Sequence, residues 1–239
     1  MTADHVEHVM GTVFSFAVRD PGPGTGPALR RAVQRLHRID ALFSTYRPES
    51  EISRLGRGEL ALAEADPEVR WVLERCAELG AETGGYFTAR PGGRLDPSGY
   101  VKGWAVEEAA RTLRESGSAH HCVSGGGDVQ TAGGPWRIGI ADPHREGAVA
   151  RVVTGRDLAV ATSGTAERGP HVIDPHTGLP AASFASLTLV GPHLTRLDAL
   201  ATAAFAMGAP RALPWLAAKG VRALAIHPDG RQETTAGWD

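Results

Sequence analysis

Lysine is nearly absent from this chain. Of 25 basic residues only Lys102 and Lys219 are lysines, and the rest are arginine. Positive charge is not in excess either: the formal net charge is -2, which excludes a basic nucleic-acid footprint as the main activity. Cysteine is scarce. Cys76 and Cys122 allow at most one disulfide, and both sit in apolar runs that read as small core residues. Aromatic residues make up only 6%, so the core must lean on Ala, Leu and Val. No apolar run approaches the length of a membrane span. Residues 1–9 are short and polar with no apolar signal region after them, so a cytoplasmic location is expected.

What remains is an ordinary globular composition, 42% hydrophobic and 22% charged over 239 residues. A chain of this size buries roughly three quarters of its extended surface and needs no covalent staples. One domain over residues 1–239 is expected, or two intimately packed lobes. The 30 glycines and 16 prolines imply many turns and close backbone approaches.

The periodicities give a coarse map. MGTVFSFAV (residues 10–18) reads as a first strand, with residues 1–9 a frayed terminus. Leu29, Val33, Leu36, Ile39 and Phe43 recur at helical spacing, with Arg30, Arg31, Arg35 and Arg38 on a solvated face. Asp66-Pro67 is an N-cap with proline at the first helical position, opening a helix that closes near Gly80. A third helix is expected over 99–116, a fourth over 197–207 and a fifth over 209–219. Strands are expected at 136–141, 149–153, 158–162, 186–190 and 221–227. Helices alternate irregularly with hairpin-like strands, which points to an α+β fold rather than a doubly wound sheet.

Several segments could carry chemistry. In LDALATAAF, Asp198 and Thr202 stand at i and i+4 and share a helix face among apolar neighbours. A carboxylate there must be paired or bound to a metal, and oxygen ligands favour Mg²⁺ or Ca²⁺; the alternative is an N-cap or surface residue near the helix start. His171 precedes an extended dipeptide and a turn, Asp174-Pro-His-Thr-Gly178, which places an imidazole suited to general-base work at a strand end. Asp96-Pro-Ser-Gly99-Tyr-Val-Lys102-Gly103 feeds a helix start, where backbone amides and a lysine attract anions, although no Walker A pattern is present. Gly125-Gly-Gly127-Asp128 permits close backbone approach but is not a dinucleotide-binding fingerprint. Thr162-Ser163-Gly164 is not a nucleophile elbow.

Taken together and in order, these stretches resemble the FAD:protein FMN transferase family, also called the ApbE family. The matching segments are MGTVFSF (10–16), FSTYRPESEISRL (43–55), TGGYF (83–87), LDPSGYVKGWAV (95–106), GGGDV (125–129), WRIGIADP (136–143), ATSG (161–164), HVIDPHTGLP (171–180) and LDALATAAFAMG (197–208). The resemblance implies a T-fold-related arrangement of mostly antiparallel sheet with packed helices. It implies an enzyme that binds FAD and Mg²⁺ and transfers the FMN half to a Thr or Ser hydroxyl of an acceptor flavoprotein, releasing AMP. By the same resemblance Asp198 and Thr202 are metal ligands, with Gly99 and Ala201 adding backbone contacts. His171 matches the general base. Met10, Tyr46, Tyr86, Phe87, Thr88, Asp96, Lys102 and Ile173 match flavin-nucleotide contacts.

The chain departs from the family pattern at Thr88, at His176 and at Gly56, where Asp, Arg and Asn are usual. Residues 88–96 form a very short connection where many members carry a long insertion, so weaker FAD binding is expected. Two other activities fit the same residues: an FAD pyrophosphatase giving FMN and AMP, and a non-catalytic FAD-binding protein. The joint presence of His171, Asp198 and Thr202 speaks against the second, since storage needs no base.

Overall fold

The structure, a computed structural model, describes residues 2–165, 169 and 172–238. It opens with a hairpin. Strand β1, Thr2–Val9, pairs antiparallel with β2, Thr12–Arg19, from Thr2↔Arg19 to Val9↔Thr12. The strand expected over 10–18 forms as β2, beginning after the Met10–Gly11 turn, and residues 2–9, expected to be frayed, form a further strand paired with it. The turn between them is Met10 at φ 56° and Gly11 at φ 68°, and positive φ at both central residues matches the twist of a tight hairpin. Its first strand went unrecognised because it is an edge strand. One of its faces is exposed and carries polar residues, which dilutes the apolar alternation.

Helix α1, Thr25–Phe43, follows, then the short α2, Glu51–Gly56, which the periodicity did not reveal. Six residues give too few turns to read a period. Helix α3, Pro67–Glu82, starts as expected, with the Asp66 carboxylate accepting from the Glu68 amide at 2.8 Å. Helix α4, Ser98–Glu115, leads into β3, His121–Gly125, and β4, Asp128–Ala132. Strands β5, Trp136–Ala141, and β6, Val149–Gly155, form a separate hairpin. Then come β7, Ala159–Gly164, and β8, Ser186–Gly191. Helices α5, Leu194–Met207, and α6, Ala209–Ala218, precede β9, Arg222–Ile226, and an unanticipated short strand β10, Gln232–Thr234.

Among the described residues, eight strands make one sheet in the order β1-β2-β3-β4-β7-β8-β9-β10, every neighbouring pair antiparallel. The expected α+β class with mostly antiparallel sheet is what forms. Alternation along β7, β8 and β9 explains the layering. Ala159, Ala161, Leu187, Leu189, Ala223 and Ala225 face the main core with the helices. Val160, Val190, Leu224 and Ile226 face a second cluster with Ile140 and Val153 of the β5–β6 hairpin. The central strands are covered on both sides, so β8 is buried from Ser186 to Val190.

The two cysteines are free thiols: Cys76 is buried, whereas Cys122 is only half-buried. Burial pushes the Cys76 thiol up to about 12. No helix among the described residues is long and apolar enough to cross a membrane.

Candidate active site

Two helices meet along a seam of small residues. On α4, Gly99, Lys102 and Gly103 share a face; on α5, Asp198, Ala201 and Thr202 share another. The seam is close because Gly103 has no side chain: a Cβ there would lie 2.6 Å from the Asp198 Cβ. A Cβ on Gly99 would lie 3.2 Å from Thr202 Oγ1 and 3.5 Å from Phe87 Cε2. The chain thus brings Gly99, Lys102, Asp198, Ala201 and Thr202 into one corner.

Asp198 is neither an N-cap nor a surface residue. Helix α5 begins at Leu194, earlier than expected, so Asp198 lies in its second turn and is 2% exposed. Distant side chains supply the start signal. Gln130 Oε1 accepts from the Leu194 amide at 3.1 Å, and Glu107 Oε2 accepts from the Thr195 amide at 2.8 Å. No local capping residue marks this end, which is why the sequence hid it.

The buried carboxylate is compensated from α4. The Gly103 amide donates to Asp198 Oδ2 at 2.8 Å, and Lys102 Nζ lies 3.4 Å from Asp198 Oδ1. A regular helix would pair that same amide with the Gly99 carbonyl, so Asp198 and the Gly99 oxygen compete for one donor. Lys102 also donates to Asp128, which is fully buried. The other Asp128 oxygen accepts from the Thr162 amide at 3.0 Å. Asp128 and Gly103 stand in segments singled out in the sequence, but neither has a role legible there. A carboxylate directly after three glycines was the available signal for the first.

Of the remaining candidates, Phe87 touches this corner through Gly99, and the others are placed by contacts of their own. Met10 occupies its positive-φ turn, and Thr12 beside it approaches the glycine turn: a Cβ on Gly126 would lie 3.4 Å from Thr12 Oγ1 and 3.3 Å from Lys102 Cδ. Asp96 Oδ1 accepts from the Ser98 amide at 3.0 Å, a turn just ahead of α4. Phe87 is 2% exposed, its amide held by Thr83 Oγ1 at 2.9 Å, so its ring belongs to the core. Thr88 Oγ1 accepts from the Arg90 amide. Tyr86 packs its ring 4.4 Å from that of His176, and Arg211 donates to its hydroxyl. Ile173 pairs with Pro180 across the turn headed by Asp174, whose carboxylate accepts from the His176 amide at 2.9 Å. Tyr46 is 90% exposed and borders an open groove of about 280 Å³ with Ile52, Gly56, Arg94 and Leu95. The short 88–96 connection forms part of that groove's wall. His171 lies outside the described residues.

The donor set suits a hard cation. Among the described residues no three of His, Cys, Asp and Glu gather to hold a metal. One buried carboxylate, the Thr202 hydroxyl and the backbone oxygens of Gly99 and Ala201 are all oxygen donors. Mg²⁺ is commonly held by one or two carboxylates together with water and substrate phosphates, so these residues fit it.

Comparison with known proteins then decides the family. The ApbE family model matches residues 10–92 and 88–225. The chain belongs to the ApbE family. It is 35% identical over 173 residues to the FAD:protein FMN transferase of Treponema pallidum, covering 62% of this chain and 48% of that protein. It is 26% identical over 283 aligned positions to the FAD:protein FMN transferase of Vibrio cholerae, covering 91% of this chain and 85% of that protein. The chain thus spans about half the length of the Treponema relative, and the match to a Rhodobacter capsulatus transferase covers 30% of that protein. Among solved structures, the ApbE protein of Thermotoga maritima superposes with a TM-score of 0.90 at 22% identity, covering 99% of this chain and 97% of that one. The flavin transferase ApbE of Vibrio cholerae gives 0.84 at 22% identity, covering 100% and 98%. These likenesses bear on the fold, and the α+β architecture is the family's.

Proposed function

We propose that this chain catalyses the Mg²⁺-dependent transfer of FMN from FAD to a Thr or Ser hydroxyl of an acceptor flavoprotein, releasing AMP. The observation that carries this reading is the α4–α5 corner, where a buried Asp198 faces Lys102 and lies one helical turn from Thr202. The names of the matched relatives supply the substrate and the group transferred.

In this reaction the acceptor hydroxyl oxygen bonds to the phosphorus of the FMN half. The bond from that phosphorus to the bridging oxygen breaks, and AMP leaves with the electron pair. Asp198, Thr202 and the backbone oxygens of Gly99 and Ala201 would hold Mg²⁺. When bound, Mg²⁺ neutralises pyrophosphate charge as it develops on the leaving side. Lys102 adds a point charge for the phosphates. His171 takes the acceptor's proton. Met10, Tyr86, Phe87, Thr88, Asp96 and Ile173 line the flavin nucleotide, Phe87 through its backbone. Tyr46 offers an exposed ring for stacking. The reading places the reaction in the cytoplasm.

A second reading uses the same residues with water in place of the acceptor hydroxyl, giving FMN and AMP as an FAD pyrophosphatase does. Incubation with FAD, Mg²⁺ and a flavin-accepting protein domain separates the two. Transfer yields acceptor heavier by one FMN, read by mass spectrometry. FMN and AMP formed equally with and without acceptor would favour hydrolysis. Intact FAD in every sample would mean binding without catalysis.

A further inference from the structure

We infer that Asp128 is a positioning residue for the α4–α5 corner: it holds the Lys102 ammonium off Asp198 and so lets a divalent cation compete for that carboxylate. The inference rests on the reading above, in which Asp198 ligates Mg²⁺.

The geometry is a lysine shared by two buried acids. Asp128 is 0% exposed and Asp198 2%. Lys102 donates to Asp128 and stands 3.4 Å from Asp198 Oδ1, so Asp128 is its nearer partner. Both acids are fixed from behind: Asp128 by the Thr162 amide at 3.0 Å, and Asp198 by the Gly103 amide at 2.8 Å. The lysine stem is fixed too. It passes the β3–β4 turn, where a Cβ on Gly126 would come 3.3 Å from Lys102 Cδ, and Gly126 and Gly127 hold φ of 56° and 85°. The ammonium lies between the two acids, nearer Asp128 than Asp198.

The Lys102 side chain keeps only 19% of its surface exposed, so its ammonium, largely removed from water, favours an anionic partner. With Asp128 charged, Lys102 has one besides Asp198. With Asp128 made neutral, Asp198 is the one carboxylate left beside Lys102 among the described residues, and a cation arriving at Asp198 must displace the ammonium from it. Groups that orient a metal's ligands from outside the coordination sphere commonly change metal affinity about 10–100-fold when removed.

The test is direct binding of Mn²⁺, a spectroscopic stand-in for Mg²⁺, to the flavin-free protein, followed by the loss of the free Mn²⁺ paramagnetic resonance signal. Asp128→Asn keeps the shape and the Thr162 hydrogen bond, and it should weaken Mn²⁺ binding about 10–100-fold. Adding Lys102→Met to Asp128→Asn should bring the affinity back to within a few-fold of the parent protein, a rescue that a merely structural role for Asp128 would not give. Parental affinity in Asp128→Asn, or no recovery in the double variant, overturns the inference. If Asp128→Asn does not fold, Lys102→Met alone decides: it should bind Mn²⁺ at least as tightly as the parent, and weaker binding contradicts the account. If the parent protein itself binds no Mn²⁺ and Asp198→Ala changes nothing, the assignment of Asp198 as a ligand fails, and this inference with it.

Discussion

The Gly103 amide and the Asp198 carboxylate meet at 2.8 Å across the α4–α5 seam, and no side chain other than hydrogen fits at position 103, because a Cβ would lie 2.6 Å from the Asp198 Cβ. Two effects oppose each other in Gly103→Ala. Alanine favours the helix by about 1 kcal/mol, whereas forcing a methyl into a packed seam costs about 1–3 kcal/mol. The contact here is far inside van der Waals range, so the second effect wins. Gly103→Ala should lower the melting temperature by several degrees and reduce turnover. An unchanged melting temperature and activity would show that the seam relaxes freely.

Removing the carboxylate separates chemistry from folding. Asp198→Ala leaves Lys102 its contact to Asp128, so the ammonium keeps a buried partner. The variant should fold, as judged by circular dichroism, and lose Mg²⁺-dependent turnover. Normal rates at limiting Mg²⁺ would remove Asp198 from the metal site.

His171→Ala should slow flavin transfer far more than it weakens FAD binding. A general base contributes on the order of 10²- to 10⁴-fold. Comparison of single-turnover rates with FAD dissociation constants checks this. A loss confined to affinity would make His171 a binding residue and place the base elsewhere.

Much of this architecture was legible in the sequence, for reasons that differ by element. The α1 stripe ending at Leu36, Ile39 and Phe43 and the Asp66-Pro67 cap are local signals, and both elements formed where local physics put them. Leu29 and Val33 are only half-buried, however, because Ala28 and Ala32 take the inner positions. An alanine-rich face lets helices approach closely but gives little contrast in a hydrophobic pattern. The start of α5 was hidden because Gln130 and Glu107 cap it from other elements. In the same way, the pairing of Asp198 with Gly103 spans 95 positions. The i, i+4 spacing of Asp198 and Thr202 announced one face of the corner, but nothing local announced the glycine opposite.

A buried histidine gives a pH dependence unrelated to the reaction. His121 is fully buried, and burial chiefly, with Arg114 adding to it, pushes its imidazole down to about 4 from an ordinary 6.5. The unfolded chain therefore binds a proton below about pH 6.5 that the folded chain refuses until about pH 4. Stability from this group is full above the unfolded value and falls as pH drops through that window, by at most about 1.4 kcal/mol per pH unit. His121→Phe should flatten the loss of melting temperature between pH 6.5 and 4 relative to the parent. Parallel curves for the two proteins would show that His121 does not titrate on unfolding.

The central claim is that the acceptor hydroxyl, not water, takes the FMN half of FAD at the Asp198 corner. The most direct measurement is the ratio of AMP released to FMN bound covalently on the acceptor, followed through one time course with FAD and Mg²⁺ in excess. The account predicts a ratio near one throughout, with no AMP when the acceptor Thr or Ser is replaced by alanine. AMP accumulating well ahead of acceptor-bound flavin, at a rate indifferent to that replacement, would contradict it.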